Sequence, residues 1–328
     1  MDPIAALEEI AALLERERAS RYRAKAFRRA AAVLEGMASA ERDDLALVRR
    51  ASGIGDTTFT VIEQARSGRV PDYLAELRGS APPPASALRG RLRGDLHSHS
   101  EWSDGATPVL AMADAARALG HEYLALTDHS PRLRVAHGLS AERLEEQLAH
   151  LAGLDTGPLR LLSGIEVDVL EDGALDQTDE LLDRLDVVVA SAHSKLRLPS
   201  REMTARLVAA ASDPRTDVLG HVTGRLVSGE RGTRPPSTFD ARAVFRACAD
   251  HSTAVEINAR PEREDPPDEL IALALEEGCL FSIDSDAHAP GQLGLLDYGA
   301  ERAERLGVPE ERIVTTWPVE RLLEWTRG

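Results

Sequence analysis

The chain opens on helical spacing. In residues 4–14 (IAALEEIAALL) and 22–37 (YRAKAFRRAAAVLEGM), apolar side chains recur every three or four positions, the period of a helix with one buried face. After residue 93 the pattern changes. Short apolar or β-branched runs follow one another: LRGDLH, EYLALTD, RLLSGIEVD, DVVVASAH, DVLGH, TAVEIN and CLFSID. Between them lie amphipathic stretches such as PVLAMADAARALG, AERLEEQLAHLAG, REMTARLVAAAS and FDARAVFRACADH. This alternation predicts a parallel sheet with crossover helices, an α/β fold. Seven units predict a closed or nearly closed barrel, with an open doubly wound sheet as the alternative. No GxGxxG follows the first run, so a dinucleotide fold has no local support.

The two patterns meet at Ser80-Ala-Pro-Pro-Pro-Ala-Ser86, followed by Arg89-Gly-Arg-Leu-Arg-Gly94. Three prolines make this a stiff, extended linker. The expected organisation is a small helical domain over 1–80, a Pro-rich linker over 81–92 and the barrel over 93–328.

Composition narrows the function classes. The chain has 328 residues, 43% apolar and 29% charged, which suits a soluble globular protein of two domains. It has no run of about 20 apolar residues, so no membrane span is expected. The N-terminus carries acids early, unlike a secretory signal. Cys248 and Cys279 are isolated in apolar contexts, which reads as two reduced thiols and a cytoplasmic location. The net charge of −16 is uneven: residues 1–94 carry 16 Lys+Arg against 13 Asp+Glu, the remainder 23 against 42. A basic front suits a phosphate backbone; an acidic back suits cations and solubility.

The chemistry is written at the ends of the seven runs. They finish at His97 and His99, at Asp128-His129, on Glu166, at His193, at His221, on Glu256-Ile-Asn258 and at Asp286-Ala-His288. Six of the ten histidines sit at these ends. In a parallel α/β barrel the strand C-termini share one face, where active sites form. With Asp104, five residues past His99, the candidate ligands are His97, His99, Asp104, His129, Glu166, His193, His221, Asp286 and His288. Nine side chains exceed the needs of one ion. They suit two or three divalent cations, with zinc, manganese and iron all compatible with imidazole and carboxylate. Paired cations clamp the oxygens of a phosphoryl transfer and acidify a water, so no serine or cysteine nucleophile is required. Glu166 and Asp286 are the central candidates for catalysis. Lys195 and Arg225 follow ligand positions and can meet a phosphate or developing charge. Asn258 and Arg260 can orient substrate, as can His137 near the mouth. Asp95 and Asp128 are candidate partners for imidazole N–H groups, whereas Asp168 and Asp284 read as structural.

These motifs resemble the polymerase and histidinol phosphatase (PHP) superfamily. GDLHSHSEWSDG, LTDHSPRLRVAHGLS, LLSGIEVDVLEDGALD, VVVASAHSK, VLGHVTGRL, AVEINARPER and SIDSDAH follow the family's order over residues 93 to about 298. The resemblance implies a distorted (β/α)7 TIM-like barrel with a trinuclear metal site. It implies one ion on His97, His99, Glu166 and Asp286, a second on Glu166, His193 and His221, and a third on Asp104, His129 and His288. The particular variant resembles the C-terminal domain of bacterial family X DNA polymerases. Residues 7–36, and SGIGDTTFTVIE (52–63) followed by SGRVPDYLAELR, resemble that family's N-terminal helical domain. Gly53-Ile54-Gly55 at a helix start is a helix-hairpin-helix signature whose backbone N–H groups can grip a DNA phosphate.

The sequence also departs from that family. The nucleotidyltransferase core expected between the two parts is replaced by the linker, so polymerase activity is not expected. The position of a lyase lysine in some relatives holds Val61, which cannot form a Schiff base. GHV stands where GHP is commoner, and the likeness fades after Gly299. The leading expectation is a metal-dependent phosphoesterase acting on nucleic acid, by 3′-terminal nucleotide removal or trimming of damaged ends, with DNA held by residues 1–80. The alternatives are a phosphatase for small phosphate monoesters and a non-catalytic DNA-binding adaptor.

Overall fold

Seven parallel strands run in chain order around one sheet: β1 (Gly94–Asp95), β2 (Tyr123–Leu126), β3 (Arg160–Asp168), β4 (Val187–Ser191), β5 (Val218–Leu219), β6 (Ala254–Asn258) and β7 (Leu280–Asp284). Each is hydrogen-bonded to the next. A single parallel bridge, Ser98 to Ala287, draws the first and last edges together, so the barrel is nearly closed. The crossovers carry helices, among them Val109–Ala118, Ala141–Ala152, Ser200–Ser212, Ala241–His251 and Asp268–Glu276. Local chemistry starts several of them. Ser140 caps Ala141–Ala152, and the Asp240 carboxylate accepts from Ala243 N at 3.1 Å. The computed structural model describes residues 1–17, 21–79, 86–228 and 232–327.

Period-two alternation gives every strand an inner and an outer face. Ile165, Val167, Val255, Ile257, Phe281 and Ile283 point outward into the helix layer. Burial of each such side chain stabilises the fold by roughly 1.5–3 kcal/mol. The inner face changes character along the strands. Its lower part is apolar, with Leu96, Tyr123, Leu162, Val187, Val189, Val218 and Ala254 in one cluster. Val314, Trp317 and Leu322, from the segment where the family likeness fades, close this cluster. Tyr123 Oη donates to the carbonyl of Trp317 at 3.2 Å. The upper part of the same face carries Glu166, Asp168, Glu256 and Asn258, all buried. Polar groups at that depth need partners.

The chain divides into two compact units, Met1–Pro83 and Pro84–Gly328. The first is helical. Pro3–Arg16, Arg21–Gly36, Asp56–Arg66 and Asp72–Gly79 enclose Leu7, Ile10, Leu14, Phe27, Leu34, Ile62 and Leu74. Val61 is buried there too, 1% exposed. Of the expected linker, residues 81–85 lie outside the described residues. Residues Leu88–Arg91 form a 3-10 turn, and Leu88 and Leu92 join the barrel's main apolar cluster. Arg89 pairs with Asp297 at 3.0 Å. Cys248 and Cys279 are both buried and free. Among the described residues, no helix is long and apolar enough to cross a membrane.

Candidate metal centre

All nine expected ligands gather at the C-terminal end of the barrel. Glu166 stands at their middle, 1% exposed, and its two oxygens face different partners. Oε1 is 3.2 Å from His193 Nε2 and 2.9 Å from His221 Nε2. Oε2 is 3.3 Å from His97 Nε2, 3.6 Å from His99 Nε2 and 2.8 Å from His129 Nδ1. Asp286 Oδ1 lies 3.5 Å from His99 Nε2, on the second side. A third group forms around Asp104, whose Oδ1 is 3.5 Å from His129 Nε2 and 3.3 Å from His288 Nε2. Among the described residues, compatible donor atoms within 4.8 Å of one another occur in three overlapping sets: His99, Asp104, His129 and His288; His97, His99 and Glu166; His129, Glu166 and His193.

Several of these atoms have no hydrogen-bond partner although they are buried: His97 Nε2, both ring nitrogens of His99 and Asp104 Oδ1. Orphaned donor atoms of this kind, all aimed inward, are what a cation would satisfy. The donor set, imidazole with carboxylate and no thiolate, suits zinc, manganese or iron. A multi-metal centre fits the residues present.

Surrounding groups set the ring orientations. His97 Nδ1 is 2.6 Å from Glu256 Oε1, which leaves Nε2 to face inward. His288 Nδ1 is 2.9 Å from the Asp286 carbonyl, which does the same for its Nε2. His193 Nδ1 is 3.4 Å from Asp168. Asp286 adopts a left-handed backbone with φ 51°. For a non-glycine residue that conformation is strained and is held only by its surroundings. Here Arg260 grips the Asp286 carbonyl at 2.9 and 2.7 Å through Nε and Nη2. Arg263 Nε and Asn258 Nδ2 donate to Asp286 Oδ2 at 3.1 and 3.3 Å.

The electrostatics follow. Burial alone would raise the Glu166 carboxyl, but His97, His193 and His129 hold it well below the usual range. Burial opposes ionisation of Asp286 as well, and Arg260 and Arg263 overcome it. His99 is driven well below an ordinary imidazole by burial and by His288 and His129, which keeps it neutral. Burial lowers His129, but Glu166 and Asp104 raise it to about 10. Protons and cations compete for such nitrogens.

The expected substrate contacts separate. Lys195 is exposed at the lip, two residues past His193, with a left-handed φ of 53°. Its loop is fixed by the buried Arg206, which donates to the Ser194 carbonyl at 2.8 Å and also to the Val169 carbonyl. Arg225 is not brought to the ligands. Its Nε donates to the carbonyls of Arg263 and Glu264, both at 3.0 Å. Asn258 and Arg260 are buried behind Asp286 and His288, as supports for both. His137 is exposed in a left-handed turn. Gly53, with φ +107°, precedes the helix Asp56–Arg66, and Gly55 N donates to Thr58 Oγ1 at 2.9 Å.

Two expected imidazole partners do other work. Asp128 precedes His129 and so points to the opposite side of the strand end. It accepts from Ser100, Ser103 and Gln147 and fixes the loop that carries Asp104. Asp95 accepts from the backbone of His97 and from Ser285. Sequence reasoning missed Glu256 and Arg263. Glu256 had a signal: it stands two residues before Asn258, on the same face of its strand. It also accepts from His221 N at 2.5 Å. Glu256→Gln should therefore weaken metal binding about 10- to 100-fold. A competitive chelator titration checks this, and unchanged affinity would remove Glu256 from the account.

The sequence pattern of the PHP domain matches residues 95–260. The chain belongs to the PHP domain family. A DNA polymerase/3′-5′ exonuclease PolX of Bacillus subtilis is 38% identical over 218 residues, which is 66% of this chain. This chain spans only 38% of that protein's length. A probable phosphatase of Vibrio parahaemolyticus is 30% identical over 236 residues, 68% of this chain and 88% of the relative. Among solved structures, the histidinol phosphate phosphatase of Lactococcus lactis matches at 18% identity. That match has a TM-score of 0.47 and covers 66% of this chain and 92% of the other.

Proposed function

We propose that this PHP protein is a metal-dependent phosphoesterase whose substrate is nucleic acid, cut at a 3′ end or trimmed at a damaged end. The observation that carries the hydrolytic reading is the division of Glu166 between two groups of imidazoles, with Asp104 at the head of a third. His97, His99, Glu166 and Asp286 would hold one ion. Glu166, His193 and His221 would hold a second, and Asp104, His129 and His288 a third. Bound cations of this kind, zinc, manganese or iron, supply Lewis acidity toward a phosphoryl oxygen and an acidified water as nucleophile.

The chain's own residues supply placement. Arg260, Arg263 and Asn258 hold Asp286 in its strained conformation, and Glu256 and Asp168 hold the rings of His97 and His193. Lys195, exposed beside His193, would meet a phosphate of the substrate. Arg225 would act by fixing the loop at Arg263 and Glu264. The nucleic-acid reading is supported by the likeness to PolX and by the basic excess of residues 1–94, with Gly53, Ile54 and Gly55 as candidate backbone contacts.

The second reading, a phosphatase for small monoesters, is favoured by the acidity of the barrel unit and by the phosphatase-named relative. One assay separates the two. A 5′-labelled single-stranded oligonucleotide and a small aryl phosphate are offered at matched concentrations with added Mn²⁺, with His193→Ala as control. Stepwise shortening of the strand, lost in the control, is the expected result. Phosphate release from the monoester alone would overturn the nucleic-acid reading in favour of the second.

A further inference from the structure

The loop that follows β2 differs in charge from the unit that carries it. After residue 94 the chain is strongly acidic, yet residues 131–138 hold Arg132 and Arg134 and no acidic side chain. Both arginines are exposed. Neither side chain has an ion-pair or hydrogen-bond partner among the described residues. Val135, next to them, is 89% exposed, more than any other large hydrophobic side chain among the described residues. The tip of the loop therefore stands clear of the barrel, and its cations are open to a ligand.

The loop is also firmly held. Leu139 N donates to the His129 carbonyl at 2.7 Å, which closes the two ends of the loop on a candidate ligand. A Cβ at Gly138 would lie 1.8 Å from the Ser130 carbonyl oxygen, so only glycine lets the ends pinch this tightly. Asp176 accepts from Ser130 Oγ at 3.0 Å and from Arg132 N at 2.5 Å. Arg143 donates to the His137 carbonyl at 2.6 Å and also to the Trp102 carbonyl, two residues before Asp104. His137 keeps a left-handed φ of 56° within this frame. A backbone fixed in advance loses little further entropy when it binds.

We infer that Arg132 and Arg134 form a rim that grips phosphates of a nucleic-acid strand beyond the one being cut, and so favour a polymer over a small monoester. The inference rests on the nucleic-acid reading and deepens it. Loops after the strands of a parallel barrel surround its C-terminal mouth. This loop leaves the barrel beside His129, within the candidate metal centre. The reacting phosphate belongs to that centre and to Lys195. A small monoester has no second phosphate to offer the rim, whereas a strand brings one with every nucleotide. The planar guanidinium fork suits paired phosphate oxygens.

The test follows hydrolysis by the full chain with added Mn²⁺ on 5′-labelled single strands of two and ten nucleotides, over a range of salt. Arg132→Ala with Arg134→Ala should raise KM for the ten-mer about tenfold or more and lower kcat little. The salt dependence of kcat/KM should flatten by about 1.4 in log–log slope, as for two lost phosphate contacts. The dinucleotide, too short to reach the rim, should show neither change. Arg132→Lys with Arg134→Lys should recover most of the salt slope. Circular dichroism and metal content show whether each variant keeps its fold and its centre. If the double alanine variant does not, Arg134→Gln replaces it, with an expected flattening of about 0.7. A ten-mer cut with the parent's KM and salt slope would overturn the inference and leave the nucleic-acid reading standing. So would an equal loss on both lengths. A parent that cuts neither strand would remove the inference together with that reading.

Discussion

Glu166→Gln is expected to lower hydrolysis about 10³-fold or more while leaving the barrel folded. The side chain keeps its size, so the packing around it survives. What changes is one oxygen. In the native residue, Oε1 faces His193 and His221, and Oε2 faces His97, His99 and His129. An amide nitrogen on either side cannot ligate a cation and points N–H bonds at ring nitrogens that must offer lone pairs. The charge also disappears from the middle of five imidazoles. At least one ion per chain should be lost, which elemental analysis of the purified variant measures. Full activity with full metal content in Glu166→Gln would remove the bridging role.

The second large effect is on stability. Arg263 is 6% exposed and donates to Asp286 Oδ2 at 3.1 Å. Burial opposes its charge, and Asp286 and Asp265 restore it. Arg263→Met removes a buried cation and leaves both carboxylates to fewer partners. Breaking one side of a buried pair costs about 3–5 kcal/mol. Arg260, whose Nε lies 3.4 Å from Asp286 Oδ2, softens the loss toward the lower end. Thermal unfolding should show a fall of roughly 6–15 °C in chelated protein. With metal present the fall should be smaller, because a cation on Asp286 offsets its charge. Equal destabilisation with and without metal would contradict the placement of Asp286 at the metal centre.

The site was legible in the sequence because strand ends are conspicuous. Five of the seven apolar runs stop on or run into histidine and the other two carry Glu166 and Asn258, and seven such ends in order mark both the barrel and its working face. The helical spacing of 4–14 and 22–37 was equally plain. Other parts left weaker marks. β1 and β5 pair over only two residues each, so the runs LRGDLH and DVLGH say more about the site than about sheet length. Arg263 lies in the charged run RPERED, which reads as solvated surface until the backbone carries it inward. Asp168 and Asp128 differ only in strand parity relative to their ligands, and parity depends on where each strand ends. The segment around Trp317 shows amphipathic spacing, but spacing alone does not name the barrel floor as the surface it covers.

The most direct test of the central claim is metal stoichiometry read together with hydrolysis. Protein stripped with a chelator is titrated with Mn²⁺, and bound metal per chain and phosphoester hydrolysis are followed in parallel. The account predicts an inactive stripped protein, more than one ion bound per chain, and activity that returns only as those ions load. Hydrolysis that persists in the stripped protein, or a chain that binds no metal, would contradict it.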